Sequence, residues 1–196
     1  MRGIYCGVLW CALMVGRPLA VLQVAVPPPP KPVDGGPSLV DTMKFIEDKI
    51  NQQDKVTFAA YSHDNISGED VAEQYSYDAR PVVADAASCK FTYHSTRVRN
   101  GVTKGGPGGN GFYAPLKSVQ SIEVRTGEQE FKRINVALGH PSIDTKIDPQ
   151  VYVLALRMPG SNDSTIFFAE EDVANRVAKA LVHAVELCGG GNKYLF

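Results

Sequence analysis

The folded part of the chain opens with a helical spacing of apolar residues. They recur at intervals of four, three and four positions, at Leu39, Met43, Ile46 and Ile50. Ser38 stands just before them, and Ser38 with Asp41 resembles a capping box in which Asp replaces the usual Glu. The spacing therefore predicts a short amphipathic helix from Ser38 to about residue 53, with its apolar stripe docked on its own domain.

Apolar and polar residues then alternate in short runs, which is the pattern of half-buried β-strands. The runs predict about seven strands, at 56–61, 73–83 (interrupted by a proline), 89–98, 119–125, 131–138, 151–157 and 165–168. In the fifth run the alternating apolar residues are Ile134, Val136 and Leu138. The polar segments 62–70 and 140–150 are predicted to be loops.

The last predicted element is a C-terminal helix. Acidic residues fill its first turn, where the helix dipole favours negative charge, at Glu170, Glu171 and Asp172. Its apolar face follows at helical spacing, through Val173, Val177, Leu181, Ala184 and Cys188. Gly189 is the residue expected just beyond the helix end. Together the elements predict an α+β fold: a mostly antiparallel, strongly bent sheet or partly open barrel of about seven strands, capped by the C-terminal helix, with an extra N-terminal helix.

The beginning of the chain differs in composition from the rest. Residues 1–25 start with a basic residue and continue into an apolar run at 4–15, which is shorter than a membrane-spanning helix. They are predicted to be a secretory signal peptide or, because apolar character resumes at 19–26, an uncleaved anchor. Residues 26–37 are a proline-rich linker, for which a stiff tether is favoured over a ligand of a proline-recognition domain. Residues 38–196 are then the folded domain.

The net charge and the cysteine content indicate which partners and which cellular compartment the protein suits. A formal net charge of −1 over 196 residues gives no electrostatic reason to expect binding to nucleic acid. Two of the four cysteines, Cys6 and Cys11, lie in the leader, whereas Cys89 and Cys188 lie in the domain. Export with loss of the leader would leave the two cysteines that one disulfide requires. A Cys89–Cys188 bridge would pin the last helix to the sheet, and two separate buried thiols are the alternative.

Two stretches of the sequence resemble the pleckstrin-homology-like superfold. Phe112-Tyr-Ala-Pro-Leu-Lys-Ser-Val-Gln-Ser-Ile-Glu-Val124 resembles a strand pair of such domains, and Ile166-Phe-Phe-Ala-Glu-Glu-Asp-Val-Ala-Asn-Arg-Val-Ala-Lys-Ala-Leu181 resembles their last strand and capping helix. The ending Cys-Gly-Gly-Gly-Asn-Lys at 188–193 is similar to that of uncharacterised secreted bacterial proteins. The resemblance covers most of 38–196 and implies a barrel fold and export. It implies no activity, because fold does not fix function.

Three basic residues form the candidate binding site that the sequence offers. Lys90, Arg97 and Arg99 resemble the basic pattern with which some pleckstrin-homology domains hold phosphoinositide head groups, although here it falls on about the third strand. On a regular strand Lys90 shares a face with His94, and Arg97 lies on the other face. A solvated strand edge is the alternative interpretation.

The sequence carries no recognisable catalytic or metal-binding motif. His94, His140 and Asp144 are the residues that a small hydrolase could use, and the same residues equally suit solvated surface positions. The glycine-rich stretch 104–111 lacks the sequence of a P-loop and is predicted to be a hairpin connection. No catalytic residue, metal ligand or cofactor is predicted.

These features favour a non-enzymatic, exported domain that binds or scaffolds an unknown protein or envelope component. The N-terminal segment would hold such a domain close to a membrane. One alternative is a small hydrolase-type enzyme that uses His94, His140 and Asp144. The other is a lipid-head-group binding module that uses Lys90, Arg97 and Arg99.

Overall fold

In the computed structural model of this protein, the described residues are 36–104, 110–160 and 163–190. The predicted signal peptide or anchor, most of the linker, the centre of the glycine-rich stretch and the chain end at 191–196 lie outside these ranges. The helices are α1 (Leu39–Gln52), α2 (Gly127–Ala137) and α3 (Glu171–Leu187). The strands are β1 (Val56–Asp64), β2 (Asp70–Asp78), β3 (Val82–Asp85), β4 (Lys90–Arg99), β5 (Val102–Lys104), β6 (Asn110–Pro115), β7 (Ser121–Thr126), β8 (Ile143–Asp148), β9 (Tyr152–Arg157) and β10 (Ser164–Phe168).

The strands form two antiparallel sheets. The first has seven strands in the order β3-β4-β2-β1-β8, with β5 and β6 also paired to β4, and it curls strongly into a half-barrel. The second has three strands in the order β10-β9-β7. The prediction of an α+β fold with a strongly bent antiparallel sheet, a C-terminal helix and an extra N-terminal helix is confirmed.

The apolar residues collect in two clusters. The larger lies beneath α1 and α3, and its fully buried members include Ile46, Phe91, Leu154, Phe168 and Leu181. The smaller lies inside the half-barrel, where Phe58, Tyr75, Val153 and Phe167 are buried and Phe131 of α2 packs against them. Burial of each such side chain contributes about 1.5–3 kcal/mol, so the two clusters hold the helices on the sheets.

The start of α1 and the end of α3 have the caps that the sequence predicts. Ser38 caps α1, because its Oγ accepts a hydrogen bond of 3.1 Å from the Asp41 amide. The stripe Met43, Ile46 and Ile50 is buried against the domain. Gly189 follows α3 with a φ of 73°, a left-handed conformation that glycine adopts without strain.

The prediction of a strand at 131–138 is wrong, because 131–137 belong to α2 and Leu138 is its C-cap. Thr126 and Gln129 form a capping box that starts the helix: the Thr126 side chain accepts from the Gln129 amide, and the Gln129 side chain accepts from the Thr126 amide. The alternating residues Val136 and Leu138 are 54% and 68% exposed. Their alternation therefore marks no buried face, and the helix signal lay in the Thr-x-x-Gln motif before it.

Three segment boundaries also differ from the predictions. The segment 140–150 contains strand β8, which pairs with β1, so it is not a loop throughout. The segment 73–83 contains parts of two strands, β2 and β3. The segment 62–70 is shorter as a loop than predicted, because β1 extends to Asp64 and β2 begins at Asp70. Pairing with neighbouring strands of the sheet extends these strands into sequence that is polar and therefore carries little strand signal.

The glycine-rich stretch does not provide the turn of the β4 hairpin. That turn is Asn100-Gly101, both with positive φ (49° and 75°), ahead of β5. Strands β5 and β6 both pair with β4, Lys104 opposite Arg97 and Asn110 opposite Ser95. Strands β5 and β6 therefore both return along β4, and the stretch 105–109 between them lies outside the described ranges.

Cys89 and Cys188 are bonded to each other in the structure, with their Cα atoms 5.8 Å apart. Cys89 immediately precedes β4, and Cys188 caps the C-terminal end of α3. Two residues further on, a Cβ on Gly190 would lie 2.8 Å from the Lys117 Cα. The end of α3 is therefore held to the half-barrel by the disulfide and by a close backbone approach.

Candidate ligand-binding face of the half-barrel

The inner face of β4 changes from apolar to basic along the strand. Phe91 and Tyr93 are buried in the larger core, and the two-residue period of a strand places Arg97 and Arg99 on the same face. Both arginines are exposed. Register with β2 sets Arg97 opposite Tyr77 and Arg99 opposite Tyr75. This end of the half-barrel is therefore open to solvent and lined by arginine and tyrosine, and we call it the arginine face.

Arg99 is held in place by a carboxylate on β2. Its Nε donates to Glu73 Oε1 at 2.6 Å, and Tyr75 donates its hydroxyl proton to the other Glu73 oxygen at 2.5 Å. Burial alone would raise the pKa of Glu73, but the bonds from Tyr75 and Arg99 outweigh it and the pKa is lowered. Glu73 therefore stays ionised and orients the Arg99 guanidinium.

Arg97 differs from Arg99 because it forms no salt bridge with any described carboxylate, whereas Arg99 pairs with Glu73. It lies beside Tyr77, whose pKa is raised because burial outweighs the opposing effect of the nearby Arg97 charge. The Tyr77 ring stacks on Phe167 with ring centres 3.9 Å apart, so its position is fixed. Arg97 therefore presents an exposed guanidinium from a rigid support.

Next to the arginine face, a buried ion-pair network joins α2 to the second sheet. Glu130 is 1% exposed and accepts from Arg125 Nη1 at 3.0 Å and from Arg133 Nε and Nη2 at 2.9 and 2.6 Å. Asp163 accepts from Arg125 and from Arg157, at 3.2 and 3.0 Å. Its burial raises the pKa of Asp163, but the bonds from Arg157 and Arg125 more than offset this and lower it. We call these five residues the Glu130 network.

The chemistry of the two regions differs. The carboxylates of the Glu130 network each accept hydrogen bonds from two arginines, so the network fits a structural role. The arginine face has exposed donors on rigid supports. A guanidinium offers its N–H groups in a planar fork that matches carboxylate, phosphate and sulfate oxygens. The arrangement can therefore bind an anionic group without rearranging.

The structure brings together only two of the three predicted basic residues. Lys90 lies seven residues before Arg97, a distance of about 24 Å along a strand. Its side chain is on the other face of β4, with Nζ 5.6 Å from the centre of the Tyr113 ring. Arg97 and Arg99 thus form the candidate site without Lys90.

The candidate hydrolase residues are not assembled into one site. His94 is exposed on the outer face of β4, and Asp144 lies on β8. Strands β2 and β1 separate β4 from β8, and Asp144 lies opposite His63 near the end of β1, whereas His94 lies beyond the part of β4 that pairs with β2. The two residues are therefore apart both across the sheet and along it. Asp144 Oδ1 accepts from Lys132 Nζ at 2.9 Å, which lowers the pKa of this carboxyl group. His140 lies in the turn after α2.

Two absences hold for the described ranges. Within 36–104, 110–160 and 163–190, no group of three His, Cys, Asp or Glu side chains is arranged to bind a metal ion. No helix in the same ranges combines the length and apolar character needed to cross a membrane.

The residues predicted from the sequence do not include the partners that organise this region. Glu73 and Tyr77 carry a readable signal, because residues 73, 75 and 77 share one face of a strand. Glu130 has a partner at helical spacing, Arg133, but this signal was missed because 131–138 was predicted to be a strand. Asp163 pairs with Arg157, six residues earlier, and with Arg125, 38 residues earlier, and neither pairing follows from a periodic pattern. Comparisons with protein-family models, curated proteins and solved structures found no significant match to this chain.

Proposed function

We propose that this protein is a non-enzymatic binding domain, exported to the cell envelope, that holds an anionic group of its ligand on the arginine face. One observation carries the proposal: the core-facing side of β4 ends in two exposed arginines, of which Glu73 orients one and no described carboxylate pairs with the other. The inward side of a strand usually carries apolar residues, so an arginine there is unusual. Its presence here fits a surface that receives a ligand.

The anionic group could belong to an acidic protein segment, a charged envelope polymer or a lipid head group. These ligands share carboxylate, phosphate or sulfate oxygens, which the guanidinium fork binds with charge-assisted hydrogen bonds. Lipid-head-group binding is the second candidate function, and the same two arginines support it. Unlike the hypothesis drawn from the sequence, it no longer includes Lys90.

Export is supported by the leader pattern and by the disulfide. A bridge between Cys89 and Cys188 is typical of proteins that fold in an oxidising compartment. The proposed relationship to pleckstrin-homology-like domains rests on the sequence resemblance of 112–124 and 166–181. Mass spectrometry of the intact protein from its own host tests export. A mass without the leader, rising by two hydrogen atoms on reduction, is expected; a full-length mass with free thiols would overturn this part of the proposal.

Titration with inorganic phosphate, followed by amide NMR shifts, tests the site. We expect the shifts to concentrate on β2 and β4 around Tyr77 and Arg97. Arg97→Gln should weaken binding about tenfold, which corresponds to the loss of one charge-assisted hydrogen bond. Lys90→Gln is the matched control, since it removes the same charge from the same strand. Equal losses in the two variants would contradict the proposed site.

A parallel experiment separates the sources of the anion. Sedimentation with phosphatidylglycerol vesicles measures head-group binding, with phosphatidylcholine vesicles as the neutral comparison. Binding to the anionic vesicles that Arg97→Gln and Arg99→Gln abolish would establish the lipid candidate. Phosphate binding without vesicle binding would instead favour a soluble or protein-borne anion.

A further inference from the structure

The outer edge of β7 is unpaired within the described ranges. In the second sheet β7 lies at the end of the order β10-β9-β7, so only one of its two edges meets another described strand. The Gly127 amide, just after β7, donates to the Val151 carbonyl on the β9 side at 2.7 Å. Successive residues of a strand direct their main-chain groups to opposite edges, so Ile122 and Val124 direct theirs away from β9. These groups have no hydrogen-bond partner among the described residues.

Other edges of the two sheets are covered by polar side chains from α1 and its C-cap. Asn51 bonds both main-chain groups of Val82 on β3, at 2.9 Å each. Gln53 donates to the Phe167 carbonyl on β10 at 3.2 Å. An uncovered edge is a template for pairing with another strand, and folded proteins usually prevent such pairing. The β7 edge, without this cover, is therefore ready to accept a strand.

The segment that follows α3 starts beside this edge. A Cβ on Gly190 would lie 2.8 Å from the Cα of Lys117, which belongs to the short 3₁₀ turn before β7. Residues 191–196, Gly-Asn-Lys-Tyr-Leu-Phe, follow and lie outside the described ranges. Six extended residues span about 20 Å, and the chain from Val119 to Val124 spans about 17 Å. The segment is therefore long enough to cover the free edge.

The direction of this segment also fits the sheet. Strands β7 and β10 both run antiparallel to β9, so they are parallel to each other. Helix α3 follows β10, and its residues Val177 and Leu181 share the larger core with Ile122 and Leu154 of the second sheet. A segment that continues from the end of α3 along β7 runs parallel to β7 and β10. Two parallel strands of one sheet are usually joined by a helix, and α3 has the position of such a crossover.

The edge of β6 is also close to Gly190, but it suits a strand less well. The Leu116 amide donates to the Cys89 carbonyl at 2.9 Å, so Tyr113 and Pro115 direct their main-chain groups away from β4. Proline has no N–H, so Pro115, next to the residue that Gly190 approaches, cannot donate to a further strand. The β7 edge has both of its N–H groups.

We propose that residues 191–196 pair with the free edge of β7 as a fourth, parallel strand of the second sheet. In the register that brings Leu195 opposite Glu123, the Val124 amide donates to the Leu195 carbonyl. The Leu195 amide donates to the Ile122 carbonyl in return. The segment thus occupies an edge that would otherwise accept a strand of another chain.

The alternation of side chains agrees with this register. Tyr194 and Phe196 share one face of the segment and fall on the side where β7 is apolar and joins the larger core. Lys193 and Leu195 fall on the other side, where Glu123 is 45% exposed, so the lysine has a carboxylate on the neighbouring strand. The aromatic side of the segment therefore meets the apolar side of β7.

Amide hydrogen exchange of the full protein, followed residue by residue by NMR, tests this inference. An edge amide without a partner exchanges almost as in an unfolded chain, so Ile122 and Val124 should exchange about 100-fold more slowly if the segment is paired. Leu195→Pro removes an N–H of the pairing and should lower this protection at least about tenfold. Leu195→Ala, the matched control, keeps the N–H and the protection. The amides of Glu123 and Arg125 face β9 and should be unchanged in both variants.

Four outcomes would overturn the inference. Unprotected Ile122 and Val124 amides in the unsubstituted protein would show that the edge is open. Equal protection in the Leu195→Pro variant would show that another group covers it. Loss of protection at Tyr113 instead would assign the segment to β6. Protection that rises with protein concentration, together with a dimer in sedimentation, would assign the β7 edge to a second copy of this chain.

Discussion

Glu130→Gln tests whether the Glu130 network holds α2 on the domain. Glu130 accepts three hydrogen bonds from two guanidinium groups, and its side chain is 2% exposed. Glutamine has nearly the same shape as glutamate, but it has only one acceptor oxygen and no charge. At least one of the three hydrogen bonds is therefore lost, and the remaining bonds are made to a neutral acceptor. Bonds to charged groups contribute about 1.5–3 kcal/mol each, and unpairing a buried charge costs about 3–5 kcal/mol. The expected loss in the free energy of unfolding is therefore about 3–5 kcal/mol.

Glu123→Gln is the matched control for this experiment. Glu123 also binds Arg125, with a hydrogen bond of 3.0 Å from Nε, but its side chain is 45% exposed. Exposed ion pairs contribute about 0–1 kcal/mol, so this variant should unfold almost like the original protein. The two substitutions remove the same group from the same arginine and differ in burial.

Urea unfolding, followed by circular dichroism, measures both variants against the unsubstituted protein. The comparison of midpoints holds if the slope of free energy against urea is unchanged. A Glu130→Gln variant within about 1 kcal/mol of Glu123→Gln would refute the reasoning. In that case burial of Glu130 would not increase the contribution of its ion pairs to the free energy of unfolding, and the packing of Phe131 would hold α2 instead.

Two further predictions concern acid stability and the disulfide. Hydrogen bonds from one amide and two hydroxyls lower the pKa of Asp64 to about 2. This lies below the unfolded value of about 3.9, so its stabilising contribution is complete above that pH and is lost as the pH falls through about 2. Asp64→Asn should flatten the melting temperature between pH 4 and 2, unlike Glu69→Gln; equal slopes would contradict this. Replacing Cys89 and Cys188 with alanine opens a loop with a sequence separation of 99 and should cost about 4–5 kcal/mol in urea unfolding. A loss under about 1 kcal/mol, or a further effect of reductant on the alanine variant, would count against it.

The sequence predicts well those elements whose apolar residues face a core. Helix α1 and helix α3 bury the stripes that their spacing indicates, and the pattern around β4, β7, β9 and β10 is strand-like for the same reason. Helix α2 escapes the same analysis because only Gly127 and Glu130 are buried in it. Its attachment depends on an ion-pair network and on Phe131, and hydrophobic periodicity contains no information about ion pairs.

The candidate site was predictable in part for a related reason. Strand parity places Arg97 and Arg99 on the core-facing side with Phe91, and it separates Lys90 from them. The sequence does not contain the register between β2 and β4, which are separated by β3 in the chain and adjacent in the sheet. Without that register, the link between Arg99 and Glu73 has no sequence signal.

The arginine face lies beside a residue, Tyr77, that contacts both sheets. Tyr77, opposite Arg97 in β2, stacks on Phe167 of β10 in the second sheet. Burial raises the pKa of Tyr77, and the negative charge of Glu130 also contributes to the increase. An anion at Arg97, as proposed above, would bind where the half-barrel, the second sheet and α2 meet. A ligand that binds only the folded state stabilises it by about 2.7 kcal/mol at a concentration of a hundred times its dissociation constant. Because Tyr77 needs both sheets in place, opening either one removes the site, so bound anion should protect the whole described domain from unfolding and not β4 alone.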